Sequence, residues 1–197
     1  MIISLQGSMA VGKTSVLKAI TKRLPGVTIS YEDVTEVITK IKQHHLDKDN
    51  DDDYQIIQGL WIDHEIARYE KIADEKLVLM DFGAEEIDFY TRAYPKASGK
   101  DWQLSQQLIN KLNDLEPCLP DLVIFLDASS EELRRRKALD KTRSRSFFDF
   151  QLENLLPIKR DWFLLKANTV LVDTNGKSVE QVGDEGLRII SSYVSDN

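Results

Sequence analysis

The segment Gly7-Ser8-Met9-Ala10-Val11-Gly12-Lys13-Thr14 constrains this chain more than any other stretch. It fits the pattern G-x-x-x-x-G-K-[ST] without a mismatch. Glycines let such a loop wrap an anion with its backbone N–H groups turned inward, and the helix that follows presents its positive end. Lys13 can then reach the β- and γ-phosphates of a nucleoside triphosphate, and the Thr14 hydroxyl can take a position on magnesium. The loop and the adjoining Ser15 are therefore the candidate donor site, with Mg-ATP the expected ligand. A chance match somewhere in a chain of this size has a probability on the order of one per cent. Context argues further against an ordinary glycine-rich turn, because the match follows an apolar run and opens a helical one.

Short β-branched runs alternate with longer stretches of helical period, the pattern of a parallel sheet covered by helices. The predicted strands are Ile2–Gln6, Val27–Ser30, Leu77–Met80, Leu122–Leu126 and Thr169–Val172. The predicted helices are Lys13–Leu24, Tyr54–Ala73 behind Asp53 as its cap, Trp102–Leu115, Ser130–Ala138, Phe148–Lys166 and Val179–Val194. Pro157 should bend or break the fifth of these. No internal repeat and no Pro/Ser/Gly linker interrupts the chain, so residues 1–197 are read as one domain.

Bulk properties narrow the function classes. The formal net charge of -7 gives no overall field for gathering nucleic acid or anionic membrane, so any anion site must be local. Cys118 is the only cysteine, which rules out an intramolecular disulfide and fits a reducing compartment. No run approaches the ~20 apolar residues of a membrane span, and the first residues lack the basic stretch of a signal peptide. A soluble, cytoplasmic protein is expected, with no nucleic-acid or membrane partner.

A magnesium site at such a loop needs an acid at the end of a neighbouring strand. Leu77-Val78-Leu79-Met80-Asp81 ends in one, so Asp81 joins Thr14 as a candidate metal ligand. The second strand runs into Tyr31-Glu32-Asp33, and ligands of open α/β sheets gather beyond the carboxyl ends of strands. Glu32, ahead of Asp33, is the candidate base for an acceptor hydroxyl; the alternative is that both acids merely start a helix. Phe82-Gly83 completes a D-F-G triplet after Met80, but the other protein-kinase segments are missing and the triplet is read as coincidence. The acidic run from Asp47 to Asp53 has Asp52 where a calcium loop needs glycine and Gln58 where it needs glutamate; it reads as a solvated loop.

Arg134-Arg135-Arg136-Lys137, followed by Lys141, Arg143 and Arg145, gathers seven cations in an acidic protein. Glu131 and Glu132 account for part of it as helix pairs four residues before Arg135 and Arg136. The remainder suits a lid over about 134–148 that closes on a triphosphate. A nucleic-acid patch fits less well, because no aromatic side chains interleave with the charges before Phe147-Phe148.

In order and spacing, these parts resemble the P-loop deoxynucleoside kinases and, more distantly, nucleoside monophosphate kinases such as thymidylate kinase. The resemblance spans nearly the whole chain, although only the phosphate loop is highly specific. It implies a three-layer α/β/α P-loop fold with a five-stranded parallel sheet of order 2-3-1-4-5 and a basic helical lid. It also implies transfer of the γ-phosphoryl group of ATP, with Mg2+, to a small acceptor such as a (deoxy)nucleoside or nucleotide. Carried onto this sequence, it makes Glu32 the base and Asp81 the magnesium acid. Arg136, Arg143 and Arg145 become phosphate contacts, and Gln58 (or Gln55) holds the acceptor base. The stretch from Asp173 through Asn175 to Gly176 borders adenine. It further implies a homodimer.

Two positions depart from the family pattern. Asp33 stands where proline is usual, and Phe82-Gly83 replaces Arg-Ser, so Arg92 is the candidate to supply the missing arginine. Tyr54, Trp61, Tyr90 and Trp102 can stack on a base or simply pack a core. His44, His45 and His64 show no metal-ligand spacing. The rival readings are a kinase of a non-nucleotide alcohol and a nucleotide-binding regulatory module. The second lacks the base-reading motif of regulatory GTPases.

Overall fold

The computed structural model describes residues 1–140 and 147–196. Five parallel strands, β1 (Ile2–Gly7), β2 (Thr28–Ser30), β3 (Val78–Asp81), β4 (Leu122–Asp127) and β5 (Thr169–Asp173), form one sheet in the order β2-β3-β1-β4-β5. Each predicted strand is present, and the order is the one the resemblance implies. β1, β3 and most of β4 are buried, as near-continuous apolar runs should be when helices cover both faces.

Alternation along β4 builds the layers. Leu122, Ile124 and Leu126 join Ile3, Leu5, Leu17 and Ile190 in one core, while Val123 and Phe125 face Phe89, Phe163, Tyr54 and Tyr94 in another. The first core lies under α1 (Lys13–Thr21) and α9 (Val179–Asp196). The second lies under α3 (Asp51–Glu70) and α4 (Ala84–Ala97), and under α8 (Leu156–Leu164). The remaining helices are α2 (Thr35–Gln43), α5 (Gln106–Leu115), α6 (Ser130–Leu139) and the short α7 (Phe148–Phe150). No helix among the described residues is long and apolar enough to cross a membrane.

The helices differ from the sequence expectation in five instructive places. α3 starts at Asp51, and its cap is Asn50 rather than Asp53: the Asn50 side chain accepts the Asp53 N–H at 3.1 Å. α5 starts at Gln106 behind a Ser105 cap, leaving Trp102 outside the helix. α2 escapes hydrophobic periodicity because Val37 is its one buried residue.

α4 escapes because Pro95 reads as a breaker. The proline sits in the last turn, and the Thr91 carbonyl that its missing N–H would have bonded accepts the Tyr54 hydroxyl at 3.1 Å instead. The stretch expected as one helix from Phe148 is divided by a π turn, Gln151–Leu155, before α8 resumes. Pro157 explains the break: it offers no N–H to the Glu153 carbonyl and its ring pushes that carbonyl away, which widens the preceding turn.

Candidate active site

The loop between β1 and α1 has the backbone its glycines foretell. Gly7 has φ 137°, and a Cβ there would lie 2.3 Å from the Leu126 carbonyl oxygen, so no side chain fits. Gly12, at φ 105°, caps α1 in the left-handed region. The Lys13 ammonium folds over this loop and donates to the carbonyls of Gly7 and Ser8 at 3.1 and 3.3 Å. Met9 and Ala10 complete the turn with Ala10 at φ 65°, Val11 is buried beneath it, and Ser15 is exposed as the third residue of α1.

β3 lies beside β1 with Asp81 opposite Leu5, which carries the carboxylate to the start of α1. There the Thr14 hydroxyl donates to Asp81 Oδ2 at 2.6 Å. A hydroxyl and a carboxylate converging next to a phosphate loop are hard oxygen donors of the type magnesium selects, so these two residues fit that ion.

The strand ends are pinned from behind by Arg68, which the sequence did not single out. Its guanidinium donates to Ser30 Oγ (2.8 Å), the Ser30 carbonyl (2.7 Å) and the Asp81 carbonyl (3.0 Å). One buried cation thus holds together the two strands that deliver Glu32 and Asp81. Glu65 pairs with it at 3.2 Å.

A cavity of about 670 Å³ opens beside the loop. Lys13, Met9 and Glu32 form one end, and Tyr54, Trp61, Gln58, Tyr90 and Tyr94 line the body. This is a volume suited to a small molecule, with few polar groups set in apolar walls. Gln58 meets the Thr91 hydroxyl at 3.0 Å, whereas Gln55 is occupied outside the cavity by Ser105 N and the Gln103 carbonyl. Trp102 packs behind Tyr54 at a ring separation of 5.5 Å and is not part of the wall.

Glu32 is raised to about 7, chiefly by the desolvation its surroundings impose, with Lys13 opposing and Glu86 and Asp81 adding to the rise. The residue is nonetheless exposed by surface area, facing the cavity. Asp33 instead turns outward to Thr35 at the start of α2, whose side chain and N–H (3.0 Å) together hold its carboxyl below the usual range.

Further residues join the site that sequence patterns did not flag. Lys159, fully buried in α8, donates to the Gly7 carbonyl at 3.0 Å and forms an ion pair with Glu86 of α4. Burial drives its ammonium down to about 8, against the pull of Glu86. In the orientation that satisfies its amide, Gln6 donates to the other Glu86 oxygen at 2.6 Å. A signal for α4 existed in the Ile87, Tyr90, Tyr94 spacing, but Lys159 stands alone in sequence and only packing reveals its partner.

The remaining candidates are distributed as follows. Arg136 donates to the Val11 carbonyl at 2.8 Å and to the Thr174 carbonyl at 2.7 Å, and pairs with Glu132, bracing the phosphate loop against the segment after β5. In that segment Asp173 accepts from Asn175 N at 2.9 Å, and Asn175 accepts from Ser129 N at 2.9 Å. Arg92 lies two positions beyond Tyr90, hence on the far side of α4, where it pairs with Asp88 at 2.6 Å outside the cavity wall. Phe82 occupies the cavity wall with φ 70°. Arg143 and Arg145 lie outside the described residues, as does Lys141.

No protein-family model matches this sequence, and no curated protein matches it significantly. Its structure does have solved counterparts. Thymidylate kinase from Candida albicans superposes with a TM-score of 0.72 at 18% identity, over 100% of this chain and 93% of that one. Deoxyadenosine kinase from M. mycoides, solved with dCMP and a flexible dCDP, gives a TM-score of 0.69 at 17% identity over 98% of this chain and 100% of that one. The same enzyme with bound dCTP gives 0.66 at 17% identity, with the same coverage. The fold is the one these two kinases share.

Proposed function

We propose that this protein is an ATP-dependent phosphotransferase whose acceptor is a nucleoside or nucleotide. One observation carries the reading: a single cavity of about 670 Å³ is shared between the phosphate loop, through Lys13 and Met9, and the strand-end acid Glu32. A donor on the loop and an acceptor in the cavity would meet at Glu32. Fold neighbours that are kinases of thymidylate and deoxyadenosine favour a nucleoside or nucleotide over an unrelated alcohol.

In this scheme the loop amides and Lys13 hold the β- and γ-phosphates, and Lys13 balances charge as it spreads over the transferring oxygens. Thr14 and Asp81 would hold magnesium, which when bound neutralises phosphate charge. Glu32 accepts the proton of an acceptor hydroxyl as its oxygen bonds to the γ-phosphorus, while the bond to the bridging oxygen breaks and ADP leaves. A carboxyl near pH 7 is well matched to that exchange. Gln58 and the aromatic wall orient the acceptor's ring.

The test is an acceptor screen that follows ADP release with nucleosides, nucleotides and unrelated small alcohols. Nucleosides or nucleotides should stimulate release, and Lys13→Ala should abolish it in a protein that remains folded by circular dichroism. Stimulation confined to unrelated alcohols would move the acceptor elsewhere, and near-normal turnover by Lys13→Ala would sink the scheme.

A further inference from the structure

Gln151 sits between the phosphate loop and the acceptor wall and bonds to both. It is buried, on the π turn that Pro157 imposes, so its side chain does not follow the regular helical face. Its Oε1 accepts the Met9 N–H at 2.9 Å and the Ser8 hydroxyl at 3.3 Å. Its Nε2 donates to the Tyr90 hydroxyl. The amide has no freedom to turn over, because the Met9 N–H can only donate and must face an oxygen. The Tyr90 oxygen is thereby made an acceptor, and its own proton is left for a group in the cavity that Tyr90 lines.

We propose that Gln151 is a positioning residue that relays occupancy of the acceptor wall at Tyr90 to the phosphate loop at Ser8 and Met9. The inference rests on the proposed reading of the loop as the donor site. When Tyr90 donates to a cavity ligand, its oxygen becomes a better acceptor. The Gln151 N–H bond to it tightens, and polarisation of the amide strengthens Oε1 toward Met9. Linkage makes the effect reciprocal, so an ordered loop favours acceptor binding as acceptor binding favours an ordered loop. Among the described residues, no hydrogen bond joins Tyr90 to the loop directly, so this amide is the hydrogen-bonded route between them.

The donor end can be tested without knowing the acceptor. The dissociation constant of the magnesium complex of the β,γ-imido analogue of ATP is measured by calorimetry for wild type, Gln151→Met, Tyr90→Phe and the double variant. Gln151→Met, which keeps the volume, should weaken binding about fivefold by leaving Met9 and Ser8 without a partner. Tyr90→Phe should weaken it about twofold despite lying off the loop, and should add nothing in the Gln151→Met background. The Met9 amide proton should also shift in the NMR spectrum of Tyr90→Phe.

Wild-type affinity in Gln151→Met overturns the relay, as does a Tyr90→Phe effect that persists in full in the double variant. Should Gln151→Met fail to fold, an unmoved Met9 amide in Tyr90→Phe overturns it instead. If wild type does not bind the analogue at all, the donor-site reading falls and takes the relay with it. Binding by wild type with the variants indistinguishable from it removes the relay alone.

Discussion

Two glutamates of this protein have carboxyl groups raised toward neutrality by the same cause, and they should behave in opposite ways. Glu32 faces the cavity beside Lys13 and is raised to about 7. If it is the base, turnover with a hydroxyl acceptor should fall about tenfold per pH unit below 7 and level off above it. Glu32→Gln should lower turnover on the order of a hundredfold, leave donor affinity nearly unchanged and remove that acidic limb; an unchanged rate would take Glu32 out of the role.

Glu85 is buried at the start of α4, and neither of its oxygens makes a full hydrogen bond among the described residues. Burial lifts it to about 8, opposed by its own backbone amide. Its folded pKa lies above the unfolded value, so its contribution is present below about pH 4.5 and is lost as pH rises through 8. Glu85→Gln should therefore melt on the order of 10 °C above wild type at pH 9 and match it near pH 4. Equal melting curves at pH 9 would show that the carboxyl finds a compensating partner.

At the scale of elements, α3 shows how local chemistry and packing divide the work. Its first turn gathers Asp51, Asp52 and Asp53 at the positive end of the helix, and Asn50 closes it by accepting the Asp53 N–H. Asn50→Ala should cost about 1 kcal/mol in chemical denaturation, and a loss within error of zero would mean water replaces the cap. The acids and the apolar spacing made α3 legible in sequence, with the boundary misplaced by one turn because several adjacent residues are competent caps.

The spacing of Ile87, Tyr90 and Tyr94 hinted at α4, but Pro95 hid it, for a physical reason. A proline four residues after Thr91 orphans its carbonyl, a cost that falls when another donor reaches it, and the Tyr54 hydroxyl that does so comes from α3. The π turn at Gln151–Leu155 was half legible: Pro157 announced a break, but not that the break would turn Gln151 onto the loop.

For the whole molecule, the phosphate loop, the Thr14–Asp81 pair and the cavity converge at the carboxyl edge of one sheet, so donor binding should stabilise the entire fold. A ligand held by the native state alone raises stability by mass action, about 2.7 kcal/mol at a hundredfold excess over its dissociation constant. The melting temperature should rise with Mg-ATP concentration, and chelating the magnesium should reverse much of the gain. A midpoint indifferent to Mg-ATP would contradict a donor site on the loop.

The sequence by itself determined the loop that we propose binds the donor. A phosphate loop is contiguous, its glycines are demanded by backbone angles and by the closeness of the Leu126 carbonyl, and the strands around it are largely apolar runs. The parallel sheet and the strand-end acids were readable for the same reason, since each is a local pattern.

Only the tertiary structure decided what lines the cavity proposed for the acceptor. It placed Glu32 rather than Asp33 on the cavity, and Gln58 rather than Gln55. It left Arg92 on the far face of α4, and brought Arg68, Gln151 and Lys159 in from distant helices. Those choices depend on which face of a helix meets the sheet and on which carbonyl a remote donor satisfies. Such contacts cross large sequence separations and leave no periodic trace along the chain.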